Sequence, residues 1–267
     1  MPIETPWIYF DGNAITKLWD WYTEVHPVGN TDDPRSESPF QHAVLSDYSM
    51  DEIVTNPISN AYAKHLVLLT IFPDIPVMQA LNLVDIPVAL ANRALLLRPA
   101  DYLQNSIGGR LLALLGHADS RAALEHDIEN KQARIRADVA AAVGRQYVSK
   151  PHRVPLADAV AIASASRGLD PTNSAQDFLE LCQLLYSYEV NRFIDRPSSE
   201  RKGPSRQLNQ QIDHYHLSYL PFVDGFVTDD AVLHEMAAFL AAAYHPGVEV
   251  DSVTSYHEKW IRAKLLD

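Results

Sequence analysis

The feature that most constrains this chain is a repeated junction. A short apolar run stops at an acidic residue and gives way at once to a helical pattern. Residues 7–10 read WIYF and stop at Asp11. Bulky aromatics and isoleucine in so short a run predict a buried strand. GNAITKLWDWYTEV follows, with Ile15, Leu18, Trp19 and Tyr22 at helical spacing and Asn13 as the expected N-cap. Residues 43–46 predict a second strand, and Ser49 with Glu52 then gives the capping-box spacing of a helix start. A third strand is expected at residues 94–97. A fourth is expected at 225–228, closed by Asp229 and Asp230, and a last at 248–253. Strands separated by helices require crossover connections, so the pattern predicts a three-layer α/β/α fold around a central, mostly parallel sheet.

Between these junctions the chain reads as helix. Residues 58–94 are apolar and mostly helical, punctuated by Pro73, Pro76 and Pro87, and residues 99–147 continue the pattern with breaks at Gly108-Gly109 and Gly116. Helices are expected at 156–166, 175–194, 208–219 and 231–244. In the second of these, Phe178, Leu181, Cys182, Leu185, Tyr188 and Phe193 form one stripe. Polar loops fall at 30–39 and 195–207. With no internal repeat and no low-complexity linker, residues 1–267 read as one domain carrying a helical insertion at about residues 99–192.

Charge and cysteine content exclude several function classes. A formal net charge of -12 argues against a protein that coats nucleic acid through a broad basic surface. It is compatible with an acidic pocket whose charge a bound cation offsets. The one cysteine, Cys182, rules out an intrachain disulfide and a cysteine-based zinc site. The sequence opens MPIETPWIYFDGN, with no basic segment leading into an apolar one, and no run of about 18 uncharged apolar residues follows. A cytoplasmic location with no membrane association is the expectation.

The acids at the junctions come from distant parts of the chain: Asp11, Glu52, Asp213 early in the helix before the fourth strand, and Asp229-Asp230. In open α/β sheets, sites form at the carboxyl ends of strands. Carboxylates that converge there cannot all stay ionised unless something positive binds among them. Mg²⁺ or Mn²⁺ suits oxygen ligands of this kind, and such a site suits phosphodiester hydrolysis by a metal-activated water. Each acid also has an ordinary structural explanation as a helix-terminal residue favoured by the macrodipole or by capping. It is the set that points to chemistry.

WIYFDGN, SDYSMDEI and IDHYHLSYLPFVDGFVTDD resemble, in order and placement, the opening strand, second strand with its following helix, and last helix–strand unit of PIN-like nuclease domains. The resemblance covers about a third of the chain, at its two ends. It implies that Asp11, Glu52, Asp213 and Asp230 are catalytic metal ligands, with Asp229 a fifth ligand. Asn13 would support Asp11 by a hydrogen bond, and Thr228 would help orient the last acid. It further implies a metal-dependent nuclease acting on RNA rather than DNA, and it leaves room for a homodimer and for an antitoxin-like protein partner. DGN departs from the commoner DTN of that family and loses a hydroxyl beside the first acid. The helical stretch before residue 192 has no counterpart in simple PIN toxins.

Other residues admit both a binding and a structural reading. Residues 190–206 hold Arg192, Arg196, Arg201, Lys202 and Arg206 against Asp195 and Glu200, the most basic stretch of the chain. It reads equally as a phosphate-holding loop or as a solvated one. Arg134, Arg136, Arg145, Lys150 and Arg153 fit a solvated helix face. His214 and His216 beside Asp213 suggest zinc, yet residues two apart on a helix point in different directions. Tyr215, Tyr219 and Phe222 read as core. The alternatives to an RNA nuclease are a DNA nuclease using the same acids and a catalytically idle PIN-like module. A phosphoaspartyl phosphatase is disfavoured because Asp11-Gly12-Asn13 lacks the second carboxylate of a DxD pattern.

Overall fold

The computed structural model describes residues 6–25, 38–49, 68–69, 71–81, 85–99, 126, 156–194 and 215–266. Two compact units divide the chain. One comprises Met1–Glu125 with Tyr219–Asp267, and the other His126–Ser218.

The first unit is built on a parallel sheet. Strand β1 (Ile8–Phe10) pairs with β2 (Ala43–Ser46), placing Ile8 opposite Ala43, and on its other side with β4 (Gly225–Val227), placing Tyr9 opposite Phe226. Strand β3 (Val77–Met78) extends the sheet beyond β2, and β5 (Glu249–Asp251) extends it beyond β4. The order is β3-β2-β1-β4-β5, and every pair is parallel. The expected α/β class with a parallel sheet is therefore observed.

Side chains of β1 alternate between the two faces of the sheet, as strand geometry requires. Phe10 joins Ala14, Ile15, Leu18 and Trp19 of helix α1 (Gly12–Val25) in a buried cluster that also takes in Phe40, Leu45, Phe72 and Val253. Tyr9 points the other way and stacks on Tyr219 and Phe226, with ring centres 5.3 Å away in each case. Full burial of side chains such as Phe10 and Leu18 contributes about 1.5–3 kcal/mol each. Helix α5 (Ala231–Tyr244) connects β4 to β5, in the direction opposite to the β1–β2 connection. Right-handed crossovers then place α1 and α5 on opposite faces, the arrangement of a three-layer fold.

Three local expectations need correction. Residues 93–96 form a 3-10 turn, not a strand, and only Leu97 bridges to Met78. Asn92 explains this: its side chain accepts the Ala94 N–H and starts the turn, and Leu95 is left exposed. The third strand lies earlier, directly after Pro76. Next, α1 is capped by Asp11 rather than Asn13, because Asp11 Oδ1 accepts the Ala14 N–H at 2.6 Å. The helix thus starts one residue ahead of Asn13, which is exposed in the first turn. Finally, the last strand stops at Asp251 and gives way to a further helix, α6 (Val253–Leu266). Helix α2 (Ile86–Ala91) is a short element whose N-terminus is capped by Asp85.

In the second unit, α3 (Leu156–Arg167) and α4 (Ala175–Ile194) match the expected helices. They form a hairpin that turns at Gly168, whose φ of +66° lies in the left-handed region glycine favours. Phe178, Leu181, Cys182 and Leu185 form the predicted buried stripe, and the side chains of Tyr188 and Phe193 lie outside the described residues. Burial pushes the Cys182 thiol pKa far up, against the weaker pull of a Ser218 hydrogen bond, so the group is an inert core residue. Among the described residues no helix is long and apolar enough to cross a membrane.

Candidate functional site

The strand order fixes where a site belongs. From β1 the chain moves outward through β2 and β3, then returns to β4 and moves the other way to β5. The β1–β4 pair is therefore the topological switch point, and the crevice at its carboxyl end is where open α/β sheets bind ligands. Asp11 follows β1 directly, and Thr228, Asp229 and Asp230 follow β4 directly.

These residues are tied together by one hydrogen-bond chain. The Thr228 hydroxyl donates to Asp11 Oδ2 in a short contact and accepts the Asp230 N–H at 3.1 Å. Thr228 is fully buried, and Asp11 is only 3% exposed. The Asp11 N–H reaches Val227 O at 3.4 Å, and the Thr228 N–H reaches Asp251 O at 3.1 Å, so the sheet ladder holds both backbones. Asp230 Oδ1 accepts the Val232 and Leu233 N–H groups at 2.8 and 2.9 Å and so caps α5. Its Oδ2 makes no hydrogen bond among the described residues. Asp229 turns aside: Oδ1 accepts the Val253 N–H at 2.9 Å at the start of α6, and Oδ2 meets Lys17 Nζ at 2.5 Å.

The end of β2 lies at the same edge. A helical turn already occupies residues 47–49, so Ser46 is the cap rather than Ser49. The reciprocal capping bonds run between these two serines: the Ser49 N–H donates to Ser46 Oγ at 3.2 Å, and the Ser46 N–H to Ser49 Oγ at 3.4 Å. The Tyr9 hydroxyl sits 2.7 Å from Ser46 Oγ, and the Ser49 hydroxyl donates to Phe10 O at 3.3 Å. This buried hydroxyl group locks the turn after β2 to the end of β1. Asp47 is gripped by the Arg98 guanidinium and accepts the Ala80 N–H at 2.9 Å.

Of the sequence-predicted site residues, the structure brings together Asp11, Thr228 and Asp230. It sends Asp229 to a lysine and a helix N-terminus. The expected support of Asp11 by Asn13 is replaced by the Thr228 hydroxyl and the Ala14 N–H. Thr228 thus orients the first acid, where the expectation was the last. Glu52, Asp213, His214, Arg196, Arg201, Lys202 and Arg206 lie outside the described residues, as does the side chain of Arg192. His216 is buried in the second unit. Sequence reasoning passed over Lys17, Asp47 and Arg98. Asp47 had a signal, since it directly follows the predicted strand 43–46, whereas the partners Lys17 and Arg98 had none.

Among the described residues no group of three or more histidine, cysteine or acidic side chains could hold a metal ion. Mg²⁺ nevertheless binds through one or two carboxylates when water and phosphate oxygens complete its shell. The described residues that fit that chemistry are Asp11 and Asp230, both acid-only oxygen donors at the switch point. Asp229 fits less well, because the Lys17 ammonium already answers its charge.

No family model, no curated protein sequence and no solved structure matches the chain.

Proposed function

We propose that this chain is a divalent-metal-dependent nuclease of the PIN-like kind, hydrolysing phosphodiester bonds in RNA at the carboxyl edge of its sheet. The observation that carries the reading is the chain Asp11–Thr228–Asp230 at the β1–β4 switch point. It joins the first and last acids of the sequence motif, 219 positions apart in number, through one buried hydroxyl. Glu52 and Asp213 are proposed to complete the acidic set.

Mg²⁺ or Mn²⁺, when bound, would activate a water and offset charge on the phosphate under attack. The protein's own contribution is positional. Thr228 and the α1 N-terminus each hold one oxygen of Asp11, which fixes the carboxylate plane before any ligand arrives. Burial of Asp11 keeps bulk water from the carboxylate. The N-termini of α1 and α5 both begin at this edge, and their dipoles favour an anionic substrate there. Arg192, Arg196, Arg201, Lys202 and Arg206 are proposed to hold phosphates flanking the scissile one.

The test is cleavage of labelled single-stranded RNA with Mn²⁺ or with EDTA, beside matched DNA and the Asp11→Asn variant. Cleavage that requires metal, prefers RNA and disappears in the variant is expected. A second reading is favoured by one observation: Asp11, Asp229 and Asp230 each already cap a helix. That is what a catalytically idle module would keep. Folded protein that cleaves neither RNA nor DNA would support that module and set the nuclease reading aside.

A further inference from the structure

The two sides of β1 are held differently at its carboxyl end. On the β4 side the register runs as far as Phe10 opposite Val227, and the Asp11 N–H reaches Val227 O at 3.4 Å. On the β2 side the register stops one residue earlier, with Tyr9 opposite Val44. The Ile8 N–H donates to His42 O at 2.8 Å, and rungs of a parallel ladder recur every second residue. The next rung would therefore carry the Ser46 N–H to Phe10 O. A helical turn begins at residue 47 instead, and β2 offers no further strand backbone to its neighbour.

The Ser49 hydroxyl stands in that rung. It accepts the Ser46 N–H at 3.4 Å and donates to the Phe10 carbonyl at 3.3 Å. Two further hydroxyls hold it in this direction. Ser46 Oγ lies 3.3 Å from Ser49 Oγ, and the Tyr9 hydroxyl lies 2.7 Å from Ser46 Oγ and 3.3 Å from Ser49 Oγ. Tyr9, Ser46 and Ser49 are all fully buried. Buried hydroxyls have to be hydrogen-bonded, and apolar side chains would fill the same space without that requirement. What the hydroxyls add is direction: a satisfied buried network admits few arrangements of the backbone it joins.

Phe10 is the residue before Asp11, so the Ser49 hydroxyl grips the peptide from which the first acid projects. We infer that Ser49 is a positioning residue for the metal site. It fixes the end of β1 on the β2 side, while Thr228 holds the Asp11 carboxylate from the β4 side. Tyr9 and Ser46 support it by orienting its hydroxyl. That role rests on the nuclease reading for what Asp11 does, and on the side-chain rung for how Asp11 is held.

The experiment measures Mn²⁺ affinity by calorimetry on the full chain, for the parent, Ser49→Ala, Tyr9→Phe and Tyr256→Phe. The last is the control. It removes a hydroxyl that donates to Pro39 O at 2.9 Å, ahead of β2, and so loses a bond without touching the end of β1. Melting temperature reports the plain structural cost of each lost hydroxyl. Ser49→Ala is expected to bind Mn²⁺ about tenfold more weakly, with kcat for RNA cleavage lowered and KM unchanged. Tyr9→Phe should lose about threefold, because Ser46 still holds Ser49. Tyr256→Phe should melt earlier and bind Mn²⁺ like the parent. Parent-like affinity in folded Ser49→Ala, or a loss no greater than that of Tyr256→Phe, would overturn the positioning role and leave the nuclease reading intact. Should Ser49→Ala fail to fold, Tyr9→Phe decides, and parent-like affinity there overturns the role. A parent that binds no Mn²⁺ would remove the nuclease reading and this role with it.

Discussion

The two ends of the β1–β4 pair each hold an aspartate that ties the strands together, and they do it in different ways. At the amino end, Asp224 accepts the Trp7 N–H at 2.8 Å and meets Arg93 at 2.7 Å, while the Arg93 guanidinium lies over the Trp7 ring. Its side chain is 48% exposed, and its charge is answered by a cation in solvent. At the carboxyl end, Asp11 is buried, and it accepts the Thr228 hydroxyl and the Ala14 backbone N–H. A clasp that only has to join two strands can stay at the surface beside an arginine. A carboxylate fixed at the carboxyl end of the β1–β4 pair sits at the topological switch point, where open α/β sheets place their ligand sites.

That contrast can be broken at either end. The largest effect is expected from Asp11→Asn, which should lower metal-dependent RNA cleavage by about 100-fold or more. Asparagine keeps the helix cap but leaves the Thr228 hydroxyl without its acceptor oxygen, so unfolding should show a loss of about 0.5–1.5 kcal/mol, too little to unfold the protein. An active variant would remove Asp11 from the chemistry. Thr228→Val comes next. It keeps the shape but withdraws the donor from Asp11 and the acceptor from the Asp230 N–H. Denaturant unfolding should show a loss of about 1–3 kcal/mol, and cleavage should fall about 10- to 100-fold. Gly225→Ala tests the close approach of β4 to β1, because its Cβ would stand 2.8 Å from Ile8 Cδ1 and 3.5 Å from Glu249 O. The end of a flexible side chain is the nearer obstacle, so a cost of about 1 kcal/mol is expected in unfolding, with cleavage intact. The smallest effect belongs to Asp224→Asn. It weakens an exposed ion pair, for which about 0–1 kcal/mol and no change in activity are expected.

The sequence made the inner part of the sheet legible and its outer parts less so. Buried strands β1, β2 and β4 carry unbroken apolar runs ending in acids, and their positions were predicted within a residue. The edge strand β3 has two residues after a proline, too short to carry a pattern, and the apolar run at 94–97 looked more like a strand than it did. Helix α6 was missed because VTSYHEKWIRAKLL is mostly polar, and its cap comes from Asp229, 24 residues upstream. The site shows the same division. The junction acids could be picked out because they terminate strands, and Thr228 through the resemblance of its TDD triplet to the end of the last strand in PIN-like domains. Which helix each acid caps, and that Lys17 takes Asp229 out of the acidic set, depends on pairings across the fold that no local spacing records.

The most direct test of the central claim is calorimetric titration of Mn²⁺ into the parent protein, Asp11→Asn and Asp224→Asn. The account predicts saturable binding by the parent and by Asp224→Asn, and its loss in Asp11→Asn. Equal binding by all three, or by none, would contradict it and leave the carboxyl-edge aspartates as strand clasps and helix caps alone.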